Sequence, residues 1–135
     1  MGTSFFCKGD NTYHYKSEIP KSLQPYYDCA FSSGGVTGKD FLSFDTKYKN
    51  AIKKLLPEGY TLHSWNRSHY ESSGVIKTPD GKFIYISYSD VRFSPNEWCT
   101  NILIRSMEHE KDWRGGMNHR TSLFTLSKDI KKIYR

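Results

Sequence analysis

The sequence predicts an α+β fold: an antiparallel sheet of about four strands flanked by two helices, behind a loop-rich N-terminal segment. Three observations predict it. Apolar residues recur at helical spacing in two stretches, residues 44–55 and 123–133. Between them several β-rich runs follow one another with no helical pattern intervening. Two of those runs meet at Pro79-Asp80-Gly81-Lys82, and Asp-Gly between β-rich segments signals a hairpin whose turn needs residues that accept positive φ. The 135 residues have the size of one domain, residues 1–135, large enough to bury a core without staples of metal or disulfide.

Residues 1–40 are punctuated by Gly, Pro, Ser and Asn, including Ser32-Ser33-Gly34-Gly35, and read as loop with a short strand near residues 26–31. Phe44, Tyr48, Ile52 and Leu55 then recur at spacings of four, four and three, one face of a helix. Asp40 or Ser43 is placed to cap its start, and Pro57 with Gly59 to end it. Lys47, Lys49, Lys53 and Lys54 mark its outer face. From Tyr60 the period falls to two, giving a first strand through Trp65. The runs starting at Val75 and Phe83 are the second and third strands. Residues 98–107, with Ile102-Leu103-Ile104, form a fourth that is apolar enough to be central. Residues 108–120 are polar, with a Gly115-Gly116 hinge. Thr121 or Ser122 caps a last helix that buries Leu123, Leu126, Ile130 and Ile133, and Lys128, Lys131, Lys132 and Arg135 gather toward its negative end.

Hydrophobic residues make up 36% of the chain and aromatic ones 16%, so rings must supply much of the buried area. The net charge is +6, a balance that suits a polyanionic partner, although many small domains are mildly basic for solubility alone. Cys7, Cys29 and Cys99 are odd in number and far apart, with no Cys-x-x-Cys pair. They argue against a zinc knuckle or a dithiol redox site, and their odd count fits a reducing cytoplasm. Cys99, beside Trp98, reads as a small core residue. The first residues lack the basic and apolar regions of a secretory signal, and no apolar run approaches a membrane span.

The densest polar stretch runs from Arg105 to Arg120. His109, Asp112 and His119 within it offer ligands for a divalent metal, with Glu108 or Glu110 as a base for phosphodiester hydrolysis. Their spacing matches no zinc motif, and a connector whose charges pair with one another is the better explanation. The main expectation is therefore a binding protein without turnover, metal or cofactor. Its contacts to a nucleic acid or nucleoprotein would be Arg92, Arg105, Lys111, Trp113, Arg114 and Arg120. Phe83, Tyr85 and Tyr88, led by Lys82, follow the aromatic spacing of an RNA-recognition strand. That motif's second-position Gly is absent, however, and core packing competes for the same rings. His63, Trp65, Arg67 and His69 present the same ambiguity.

One resemblance extends this reading. The run from Tyr85 to Phe93, continued by Asn101-Ile102-Leu103-Ile104-Arg105, is similar to small accessory proteins of phages and mobile elements. In those proteins an Ile-Leu-Ile-Arg strand is followed by His-x-Lys-Asp-aromatic-x-Gly-Gly-x-Asn. Here that pattern falls on His109, Lys111, Asp112, Trp113, Gly115, Gly116 and Asn118. The likeness spans the last third to half of the chain. It implies an accessory role in the host cytoplasm, such as inhibition of a CRISPR effector or another defence complex by occupying its surface.

Overall fold

The computed structural model describes residues 4–7, 10–27, 38–67, 72–88, 98–112 and 116–134. Strands β1 (Ser4–Cys7) and β2 (Thr12–Tyr15) form a hairpin. A 3-10 turn (Lys16–Glu18) and the short helix α1 (Gln24–Tyr27) follow. The long helix α2 (Gly38–Leu55) leads into strands β3 (Thr61–Arg67), β4 (Ser72–Lys77), β5 (Phe83–Tyr88), β6 (Ile102–Met107) and β7 (His119–Thr121), and helix α3 (Leu126–Ile130) comes last. The five later strands make one antiparallel sheet in sequence order, with β3 and β7 at its edges. The architecture is α+β as predicted, with one more strand in the main sheet and a separate two-stranded hairpin.

Helix α2 forms because its apolar residues repeat at helical spacing, and Phe44, Tyr48 and Ile52 are fully buried on that face. The helix begins at Gly38, so Asp40 and Ser43 lie inside it rather than capping it. Pro57 and the positive φ of Gly59 follow its end. Register puts Ile84, Ile86 and Tyr88 of β5 on the sheet face shared by Ile102 and Ile104 of β6 and Ile76 of β4. The α2 rings pack onto that face: Tyr48 stacks on Tyr88 with centroids 4.3 Å apart. Asp45, one position from Phe44, is buried and ties helix to sheet. It accepts hydrogen bonds from Tyr88 Oη (2.7 Å), Ser72 Oγ and Trp65 Nε1 (3.3 Å).

The predicted β4–β5 hairpin is present. Gly81 takes the positive φ the turn requires, and Thr78 Oγ1 donates to Asp80 Oδ1 at 2.5 Å. Phe83 and Tyr85 lie opposite Ile84 and Ile86, half-buried on the second sheet face, while Tyr88 belongs to the core. Four expectations are corrected. Tyr26 lies in α1 rather than in a strand. Trp98 precedes β6 as part of a 3-10 turn. His119, Arg120 and Thr121, expected as connector and cap, form the edge strand β7. The last helix spans only Leu126–Ile130, with neither Thr121 nor Ser122 as its cap; Leu126 and Ile130 are buried in it as expected, Leu123 is buried ahead of it, and Ile133 lies beyond it and is only partly buried. No helix among the described residues is long and apolar enough to cross a membrane.

Candidate functional site: a cysteine-lined pocket beside the basic edge strand

The sheet ends at β7, and the chain turns back from it through Ser122–Thr125 into α3. The β1–β2 hairpin packs against this return: His14 stacks on Phe124 at 4.3 Å, and Phe5 lies 5.8 Å from the same ring. Between the hairpin and the β7–α3 return lies a pocket of about 240 Å³, lined by Cys7, Asp10, Cys99, Arg120, Lys128 and Asp129 together with three hydroxyl residues.

Cys7 and Cys99 are joined as a disulfide across 92 positions. This corrects the expectation of a core without a disulfide staple and of cysteines kept reduced. The fold makes the bond by setting the end of β1 against the turn that precedes β6, so Cys99 is buried as expected but bonded. Asp10 and His14 stand beside it. His14 Nε2 lies 2.7 Å from Asp10 Oδ2, and its Nδ1 lies 3.0 Å from Glu18 Oε1. Thr12 steadies Asp10 through its N–H (3.2 Å) and its Oγ1 (2.8 Å), and Glu18 Oε2 accepts the Tyr15 N–H at 2.6 Å. Burial alone would lower the His14 pKa. Hydrogen bonds to Asp10 and Glu18, and their charges, outweigh it and raise the imidazole above its ordinary value. Burial likewise pushes Asp10 upward, but the hydrogen bonds from His14 and Thr12 prevail and hold it below the usual carboxylate value.

The cations along this edge are differently placed. Arg120 on β7 and Lys128 on α3 are exposed, as are Lys131 and Lys132. Nearby acids are committed elsewhere: Asp10 to His14, and Asp129 Oδ2 to the Thr121 hydroxyl at 2.6 Å. No ion pair within the described residues engages Arg120 or Lys128.

The residues singled out in the sequence fall apart into several places. Arg120 and Lys111 are exposed. Arg105 is only 7% exposed, directly across from Tyr85 in the β5–β6 ladder, with its guanidinium 4.5 Å from that ring. An aromatic neighbour on a half-buried sheet face holds it in, so it is not displayed at an edge. Arg92, Trp113 and Arg114 lie outside the described residues. His109, Asp112 and His119 are not gathered into a ligand cluster; the one group of that kind among the described residues is Cys7, Asp10 and His14. His109 Nδ1 instead accepts the Lys111 N–H at 3.2 Å, and Asp112 accepts the Glu108 N–H at 3.0 Å. Glu110 pairs with His63 at 2.8 Å. Asp112 is thus held within its own segment and Glu110 by β3, and neither engages Arg120.

Fold and site together define an α+β protein with a solvent-open pocket carrying a disulfide, a doubly held histidine and exposed cations. Compared with known proteins, the chain matches no family model, no curated protein and no solved structure.

Proposed function

We propose that the protein is a binding protein without turnover, docking on a nucleic acid or nucleoprotein through the basic edge built by Arg120 and Lys128. The observation that carries this reading is that the neighbouring acids are held by internal partners while both cations reach solvent. An edge strand with α3 beside it presents them together, with Lys131 and Lys132 one turn further on. Arg forks suit phosphate oxygens, and neutralised phosphates release counterions, so the +6 charge works in the same direction. Hydrolysis by His109, Asp112 and His119 has no support, since their side chains are not brought together.

The resemblance of residues 85–118 to accessory proteins of phages and mobile elements suggests where such docking would matter. The partner would be a defence nucleoprotein in the host cytoplasm, such as a CRISPR effector, blocked by occupation of its nucleic-acid path.

The test is binding of short duplex DNA, single-stranded DNA and RNA measured across a salt series. Affinity should fall linearly on a log–log plot. On duplex DNA each neutralised phosphate adds about 0.9 to the slope, so replacing Arg120→Ala and Lys128→Ala together should reduce it by about two. A flat salt response, or an unchanged slope in the double variant, would defeat the nucleic-acid reading and leave a protein partner.

A further inference from the structure

The hairpin beside the disulfide is built like half of a metal centre. Cys7 pairs with Thr12 and Phe5 with His14, so Cys7 and His14 project from the same face of the hairpin. Asp10 occupies the turn between them, next to Asn11 in the left-handed region. Ligand atoms of Cys7, Asp10 and His14 all lie within 4.8 Å of one another, and Cys99 Sγ is bonded to Cys7 Sγ. Ligands around a tetrahedral zinc, at about 2.0–2.3 Å from the ion, stand about 3.3–3.8 Å apart. The donors therefore need only close on a common centre as the two sulfurs separate.

We infer that Cys7, Cys99, Asp10 and His14 form a redox-gated site for a divalent zinc-type ion, open to metal once the disulfide is reduced. Three features point to a ligand beyond the disulfide itself. A disulfide has no use for an imidazole and a carboxylate aimed at its edge. Glu18, itself held by the Tyr15 N–H, takes the Nδ1 side of His14, so with an ion bound the neutral ring would keep its proton there and leave Nε2, on the side of Asp10 and Cys7, as the ligand atom. That carboxylate behind a ligating histidine is the outer-shell arrangement that fixes tautomer and ring direction. Charge also balances: two thiolates and one carboxylate around a divalent ion leave one negative charge, and Arg120 and Lys128 line the same pocket. Two sulfurs, one nitrogen and one oxygen in a four-fold set favour zinc over harder ions.

The gating step is a two-electron exchange. A dithiol reductant gives two electrons and two protons to the Cys7–Cys99 bond, which becomes two thiols as the reductant closes its own disulfide. The entering ion then displaces both thiol protons. Asp10 binds as carboxylate and His14 as neutral imidazole.

The experiment uses the full chain, oxidised and dithiol-reduced, titrated with cobalt(II) as a spectroscopic substitute for zinc and then back-titrated with zinc. The reduced protein should take up one equivalent, with thiolate-to-cobalt charge transfer and the intense visible bands of four-coordinate cobalt, while the oxidised protein should show neither. Glu18→Gln should keep the far-ultraviolet circular dichroism of the parent and lower zinc affinity about 10–100-fold. Asp10→Asn should keep the thiolate bands but lose affinity. If reduction alone unfolds the chain, zinc should restore the fold. The inference is overturned by reduced protein lacking thiolate-to-cobalt absorption, by Cys7→Ser binding as tightly as the parent, or by a reduced, unfolded chain that zinc does not refold.

Discussion

At the scale of single residues, Asp45 shows what holds α2 to the sheet. Its carboxylate is 1% exposed and takes hydrogen bonds from three elements, β3, β4 and β5, with Arg67 reaching in from a half-exposed position at 3.4 Å. Such a group is costly to bury unless every oxygen is satisfied, so each donor matters. Burial, followed by the hydrogen bond to Asp45 and its charge, pushes the Tyr88 phenol well above the ordinary tyrosine value of 10.0. The folded chain therefore holds a proton that the unfolded chain gives up as pH rises above that value. This contribution to stability is fully present below pH 10.0 and is lost progressively at higher pH, toward the folded-state value. Tyr88→Phe should cost about 1–3 kcal/mol at neutral pH, because Asp45 loses a buried donor. It should also flatten the alkaline fall in stability. Denaturant unfolding of both proteins at neutral and alkaline pH reads both effects, and an equally steep alkaline fall in the variant would rule out this role. The helical spacing makes Phe44 and Tyr48 legible as core, but no pattern marks Asp45, whose donors arrive from up to 43 positions away.

Among elements, legibility tracks length and locality. Helix α2 repeats its apolar face from Phe44 to Leu55, and the β4–β5 hairpin is announced by Asp80-Gly81, whose conformational demand is local. Strands β1, β2 and β7 have only three or four residues, too few for alternation to show, and β7 is created by pairing with β6 across an intervening polar stretch. The Gly115-Gly116 pair illustrates the difference. Its sequence reads as a hinge, yet Gly116 has a φ of +77° and a Cβ there would collide with the Ser106 backbone, so the residue is a close-packing point against β6. Gly74 plays that part in the middle of β4. A Cβ built on it would lie 2.5 Å from Ser64 O and 2.7 Å from Trp65 Cε3, the two residues that follow the irregularity in the β3–β4 ladder. Strand backbone cannot step aside as a side chain can, so Gly74→Ala must push β3, an edge strand, off β4. The expected cost is about 1–3 kcal/mol, with faster amide exchange confined first to residues 61–67. Unchanged exchange in β3 would show that the edge absorbs the methyl without moving.

Over the whole molecule, the pocket exists because topology brings Cys7 and Asp10 to Cys99 and to residues 120–129. No local signal in the sequence pairs Cys7 with Cys99, and three widely spaced cysteines leave open which of them pair. What the sequence does expose is the excess of positive charge and Arg120 within it; the histidine that matters, His14, lies in a stretch whose composition reads as loop. The Cys7–Cys99 link closes a loop of 92 positions around the folding unit, from the first strand to the entrance of β6. Cross-linking a chain over that distance removes much freedom from the unfolded state, and disulfides of this kind contribute about 2–4 kcal/mol. Reduction in the presence of a chelator should therefore lower the unfolding free energy by about that amount, and Cys7→Ser with Cys99→Ser should lose the same amount without reductant. Zinc added to the reduced parent should recover part of the loss, since an ion that binds only the folded state stabilises it in proportion to its affinity. The double serine variant should recover nothing, which separates the ion's contribution at the thiolates from any general effect of metal on carboxylates elsewhere. Equal recovery in both proteins would place the zinc elsewhere and reduce Cys7–Cys99 to a covalent staple between the hairpin and the sheet.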